Sequence, residues 1–223
     1  MKAATRRRMV RVGVKPAPVA TASHATLATQ AALDMIAAVA EVDYQQLATG
    51  LHAIGIGTGA MCVGDMGSDL RRSYTVIGDA VNLASRLEGL GKNYGVEIVA
   101  SESTRLQAAD FVWQETDTVR VKGREAQVAI FNPLLRGSAS AGPAQTRELQ
   151  LWQRALHDYR AQDWVHAQGC LVDLIAANGE KYLYAHYAER VACKIESAFD
   201  PRRDELTSVQ PANQYAAPER IAP

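Results

Sequence analysis

The apolar residues change their period once along the chain, and that change sets the architecture. Before Arg136, short apolar runs of strand length are punctuated by glycine and interleaved with helical stripes; after Thr146 the spacing is helical throughout. Between these points Gly, Ser, Ala and Pro crowd together as in a flexible linker. In the first half, Leu27, Ala31, Met35, Ala38, Val39 and Val42 recur at three- and four-residue steps and predict an amphipathic helix from His24 to about Ala48, ended by Gly50. Leu51–Ile56 and Met61–Val63 are apolar runs joined through Gly57-Thr58-Gly59, which predicts an antiparallel hairpin. Ser73–Ile77 reads as a strand, and Gly78-Asp79 interrupts it, with Asp79 as N-cap of a helix from Ala80 to about Leu90. Val96–Ala100 predicts a further strand, Ser101–Ala109 a short helix capped by Ser101, and Phe111–Val121 with Gln127–Phe131 two strands around Lys122-Gly123-Arg124.

The expected fold class is therefore α+β with a mostly antiparallel sheet, followed by an all-α extension. In that extension Leu149, Trp152, Ala155, Leu156, Tyr159, Trp164, Ala167, Leu171 and Leu174 predict two short helices turning near Gln162-Asp163, and a third runs from Tyr182 to Ile195. The division along the chain is an irregular N-terminal arm at 1–23, an α+β domain at 24–135, a linker at 136–146, a helical extension at 147–198 and a disordered tail at 199–223.

Composition removes several function classes. Among 223 residues, 24 Lys+Arg balance 24 Asp+Glu, so the chain lacks the positive field of a generic polyanion binder, and no nucleic-acid partner is expected. The basic run Arg6-Arg7-Arg8 is not followed by the apolar stretch of a signal peptide, and no window reaches the roughly 20 apolar residues that span a bilayer, so a cytoplasmic location is expected. Cys62, Cys170 and Cys193 share no metal or disulfide spacing, and Cys62 reads as a core strand residue. His157 and His166 read as helix-surface residues. Gly55-x-Gly57-x-Gly59 lacks a following helix N-terminus to hold a phosphate and reads as a tight turn. The Trp152–Trp164 segment has the aromatic and alanine spacing of one tetratricopeptide-like hairpin; without a second copy it reads as a packing appendage.

Chemistry concentrates in Arg72–Glu88. Asn82 and Arg86 lie four residues apart on one helix, which sets an amide and a guanidinium on the same face. An amide orients a sugar oxygen, and a planar guanidinium chelates phosphate oxygens and absorbs charge that builds on phosphorus. Taken alone, such a pair reads as a solvated helix face.

The stretch Tyr74-Thr-Val-Ile-Gly-Asp-Ala-Val-Asn-Leu-Ala-Ser-Arg-Leu-Glu-Gly89, with Ile54-Gly-Ile-Gly-Thr-Gly59, Val63-Gly-Asp-Met-Gly-Ser68 and Val119-Arg-Val-Lys-Gly-Arg124, closely resembles the class III nucleotide cyclases, bacterial adenylate cyclases in particular. The likeness runs from about His24 to Phe131. It implies that 24–135 is the C-terminal part of a ferredoxin-like cyclase domain, and it implies four roles. Asn82 would position the ribose, Arg86 would stabilise the α-phosphate in the transition state, Lys122 would hold the outer phosphates, and Thr75 would lie against the purine, favouring ATP over GTP. The implied reaction is in-line attack of the ribose 3′-oxygen on the α-phosphorus, giving cyclic AMP and pyrophosphate with the help of two Mg or Mn ions.

The family's two metal-binding Asp residues have no counterpart in this sequence, nor does its purine-contacting Lys. The chain starts where the third strand would end, with Lys15-Pro-Ala-Pro18 and His24-Ala25 matching the family's segments downstream of that strand, so an N-terminally truncated product is expected. Family sites form between subunits, so the metal ligands would come from a partner or from the missing N-terminal part: this chain would act as a homodimer or as a complementary cyclase subunit, and would show weak or no activity alone. The alternative is a non-catalytic pseudo-cyclase or regulatory subunit that binds nucleotide or a cyclase partner.

Overall fold

The computed structural model describes residues 23–40, 53–68, 71–120, 127–137 and 141–199. The expected arm before Ser23, the far end of the first helix, Lys122 and the tail from residue 200 lie outside them. In chain order the elements are α1 (His24–Ala40), β1 (Ile54–Ile56), β2 (Cys62–Ser68), β3 (Arg71–Ile77), α2 (Asp79–Tyr94), β4 (Ile98–Ser101), α3 (Glu102–Gln107), β5 (Phe111–Arg120), β6 (Gln127–Arg136), α4 (Pro143–Arg160), α5 (Trp164–Asn178) and α6 (Tyr182–Phe199). This is the α+β class expected, with a four-stranded sheet ordered β1-β4-β6-β5 and a separate two-stranded sheet of β2 and β3.

The hairpin expected between Leu51–Ile56 and Met61–Val63 does not form. β1 pairs in parallel with β4, Ile54 opposite Ile98 and Ile56 opposite Ala100, while β2 pairs antiparallel with β3, Cys62 opposite Ile77 and Ser68 opposite Arg71. The glycines read as a turn explain the difference. A Cβ on Gly55 would lie 2.0 Å from the Ala84 carbonyl oxygen and 2.6 Å from the Glu88 nitrogen, and one on Gly57 would lie 2.6 Å from the Ala80 carbonyl oxygen. These glycines clear a bed on which the backbone of α2 rests, and α2 is part of the crossover that a parallel pair requires.

Three further expectations are corrected. Gly78, not Asp79, occupies the cap position of α2; its carbonyl accepts from the Val81 and Asn82 nitrogens at 3.1 and 3.3 Å. Asp79 sits in the first turn, where a carboxylate complements the helix dipole. The helix outlasts Leu90 and closes at Gly95 in the left-handed region, φ 64°. Cys62 is exposed rather than core, as is its cross-strand partner Ile77 at 57%, because the β2–β3 ribbon pairs with no strand of the main sheet. The Ser101 cap forms as expected, its hydroxyl accepting from the Thr104 nitrogen.

Alternation along the strands sorts the core into two sides. Ile54, Ile56, Ile98 and Ala100 pack with Ala28 and Ala32 of α1. Val99 instead joins Leu83, Leu87 and Tyr94 of α2, Ile130 of β6, and Trp152, Leu171, Leu174, Tyr184, Tyr187 and Val191 of the last three helices. The helices after residue 142 thus share one core with α2 and the sheet.

They also hydrogen-bond to the middle of β5. The Trp152 indole N–H donates to the Glu115 carbonyl at 2.6 Å, the Tyr187 hydroxyl to the Thr116 carbonyl at 3.1 Å, and Arg160 to the Glu115 carboxylate at 2.6 Å. The register of β5 on β6 shifts between Glu115 and Asp117, a bulge that leaves the Thr116 carbonyl to Tyr187. His157 and His166 are surface residues as expected, each beside an aspartate, Asp158 at 3.2 Å and Asp163 at 2.7 Å.

Gly55→Ala should cost about 3 kcal/mol or more, because the methyl meets backbone that cannot move aside. Gly89, on the same helix with nothing within 4 Å of its would-be Cβ, should accept alanine with a gain of roughly 0.5–1 kcal/mol. Urea midpoints of the two variants check both signs. A second expectation concerns pH. Burial, then the neighbouring Arg190, lowers the His186 pKa, so the unfolded chain binds a proton more readily than the folded one. Its contribution is complete above the ordinary histidine value of about 6.5 and is lost as pH falls below it. Denaturation at pH 7.5 and 5.5 should show a decline that His186→Gln reduces.

Candidate active site

The strand-to-helix turn at Gly78 carries β3 directly into α2. Ala80, Leu83 and Leu87 are buried on the inner side of α2, whereas Asn82, Arg86 and Gly89 are exposed on the other. The i, i+4, i+7 spacing places those three on one face. Asn82 and Arg86 thus present an amide and a guanidinium outward from a helix whose underside is in backbone contact with β1. Thr75 is half-buried in β3, opposite Gly64 of β2. Lys122 lies outside the described residues, so three of the four expected site residues have a described place: two on α2 and one on the strand that feeds it.

Such a face suits an anionic ligand approached from solvent or from a second subunit. The guanidinium supplies fixed forked donors, and the amide one turn earlier supplies both a donor and an acceptor. Among the described residues no three His, Cys, Asp or Glu side chains come together to hold a metal ion. Asp79 is exposed in the first turn of α2, and Asp65 stands opposite Tyr74 in the backbone register of the hairpin.

The far end of α2 is held by residues that sequence reasoning passed over. The Tyr94 hydroxyl donates to Asp117 Oδ2 at 2.7 Å, and Arg190 of α6 donates to the same oxygen at 3.1 Å. Burial and then the Asp117 carboxylate push the Tyr94 phenol far above its ordinary range, which keeps it a donor. The available signal was the recurrence of Tyr182, His186 and Arg190 at four-residue steps, a stripe beside the apolar one.

The family model described as "Adenylate and Guanylate cyclase catalytic domain" matches residues 8–132, more than half of the chain, beginning inside the segment read as an irregular arm. Adenylate cyclase 1 of Rhizobium meliloti is 38% identical over 120 residues, 52% of this chain and 18% of that protein. An adenylate cyclase of Anabaena cylindrica is 38% identical over 118 residues, 49% of this chain and 23% of that protein. Among solved structures, the guanylyl cyclase Cya2 aligns at 30% identity and a TM-score of 0.47, covering 56% of this chain and 64% of its own. The chain belongs to the adenylate and guanylate cyclase catalytic domain family. It spans under a quarter of the length of these two curated relatives. No helix among the described residues is long and apolar enough to cross a membrane.

Proposed function

We propose that this chain is an adenylate cyclase catalytic-domain fragment in cyclic-nucleotide signalling, and that it supplies one half of an active site to a cyclase partner. The observation that carries this reading is the exposed Asn82/Arg86 pair on the outer face of α2. Asn82 orients the ribose of ATP so that its 3′-oxygen lies in line with the α-phosphorus, and Arg86 binds the α-phosphate oxygens and takes up the charge that grows on them. Lys122 holds the outer phosphates and Thr75 contacts the adenine. The Mg or Mn ions that the family uses are held by carboxylates of the partner subunit, and residues 24–135 form the cyclase segment. The adenylate cyclases among the relatives support ATP as substrate, and the proposed place of action is the cytoplasm.

Complementation tests the proposal. An intact homologous cyclase that has lost its own equivalents of Asn82 and Arg86 should regain cyclic AMP production when mixed with this chain, whereas the chain alone with ATP and Mg or Mn should produce none above background. Arg86→Ala in the mixture should raise the barrier by about 2–4 kcal/mol, the loss of one preorganised charge-stabilising donor. A demonstrably folded chain that fails to rescue the crippled cyclase would refute the half-site and favour a non-catalytic subunit. In the same mixture Thr75→Ala should lower kcat/KM for ATP more than for GTP, since an adenine edge that loses its hydroxyl partner costs about 1–3 kcal/mol. An unchanged ATP:GTP ratio would make Thr75 a strand residue only.

A further inference from the structure

α6 meets the end of α2 along one stripe. Tyr182, His186 and Arg190 recur at four-residue steps and so share a face. The Tyr182 ring lies over Gly95, where a Cβ would come within 2.5 Å of it. His186 stacks on Tyr182, with ring centroids 6.1 Å apart and planes 8° apart, and meets the Tyr94 ring edge-on at 5.8 Å. One turn further on, the Arg190 guanidinium lies over the rings of Tyr187 and Tyr159, at 4.8 and 5.0 Å, and donates to Asp117.

Asp117 is the middle member of this joint. It sits just after the β5 bulge, and one of its carboxylate oxygens accepts from both Tyr94 of α2 and Arg190 of α6. The bed under the first half of α2 is glycine and alanine backbone, and Leu83 and Leu87 beside it make apolar, non-directional contacts with the core. The directional contacts that resist sliding are at the other end, from Tyr94 to Asp117 and from Gly95 to Tyr182.

We infer that Arg190 is a positioning residue for α2: it fixes Asp117, Asp117 fixes Tyr94, and the helix presents Asn82 and Arg86 in the register so set. A lysine keeps the charge but lacks the planar group that both stacks and donates, so the substitution is not conservative here. The mechanical part of the inference stands on the contacts alone; its effect on turnover rests on the half-site reading.

Hydrogen exchange on the full chain, followed by mass spectrometry, tests the mechanical part without any activity. In Arg190→Gln, peptides covering Gly89–Tyr94 and Glu115–Thr118 should exchange about tenfold faster or more, while those covering α1 and α3 keep their wild-type rates; Arg190→Lys should fall between. In the complemented cyclase, Arg190→Gln should lower kcat about tenfold and leave the KM for ATP within about twofold, the signature of a misaligned transition-state group. Uniform acceleration of every peptide would reduce Arg190 to a stability residue, and unchanged exchange in α2 would remove the joint; either result overturns the inference. A mixture that never turns over, combined with the selective exchange pattern, would leave the joint standing and refute only the half-site.

Discussion

The backbone contact between α2 and β1 is the constraint on which the rest of the structure depends. It exists because Gly55 and Gly57 carry no side chain where the turns of α2 at Ala80 and Ala84 come down. That closeness fixes the height of the helix above the sheet. At that height Leu83 and Leu87 reach Val99 and Ile130 and seal one side of the sheet. The helix faces are set by the same contact: the side turned down is apolar and buried, and the side turned up carries Asn82 and Arg86.

The second half of the chain completes this arrangement. Trp152, Tyr184 and Tyr187 are fully buried and pack ring against ring, Trp152 lying 5.2 Å from Tyr184 and 5.1 Å from Tyr187. Each ring also carries a polar group with a partner. Trp152 and Tyr187 donate to β5 carbonyls, and the Tyr184 hydroxyl donates to the Glu148 carboxylate. Buried aromatic residues with satisfied polar ends contribute apolar area and direction together. At Glu115 and Thr116 of β5, the last strand of the main sheet among the described residues, two backbone carbonyls thereby have side-chain partners from these helices.

Much of this was legible in the sequence, and the failures have physical causes. The strand-turn-helix unit around Gly78, the Ser101 cap and the break between α4 and α5 at Gln162-Asp163 were all visible, because local backbone chemistry decides them. Gln162 takes a positive φ of 60° at that break. The pairing of β1 was not visible: a Gly-x-Gly-x-Gly run reads the same whether glycine is chosen for a turn or for the approach of a helix, and only the position of α2 distinguishes them. The extent of α2 was misjudged because Gly89 and Gly91 look like terminators, whereas Gly91 is buried against Val96 and Ala53 inside the helix. Asp117 gave no signal, since its partners lie 23 and 73 residues away. Asn82, Arg86 and Thr75 stood out by resemblance, since the spacing of the Asn82/Arg86 pair alone reads as a solvated helix face.

Among the described residues the β2–β3 ribbon forms a sheet of two strands apart from the main four. Two-stranded ribbons are marginal in water without further strands or a packed layer. The free energy needed to open this ribbon is therefore decoupled from that of the core, and its amides belong to a less protected cooperative unit than those of β4 or α2. A binding partner that orders the ribbon would meet the cost locally, drawing on a few backbone pairs rather than on the stability of the whole chain.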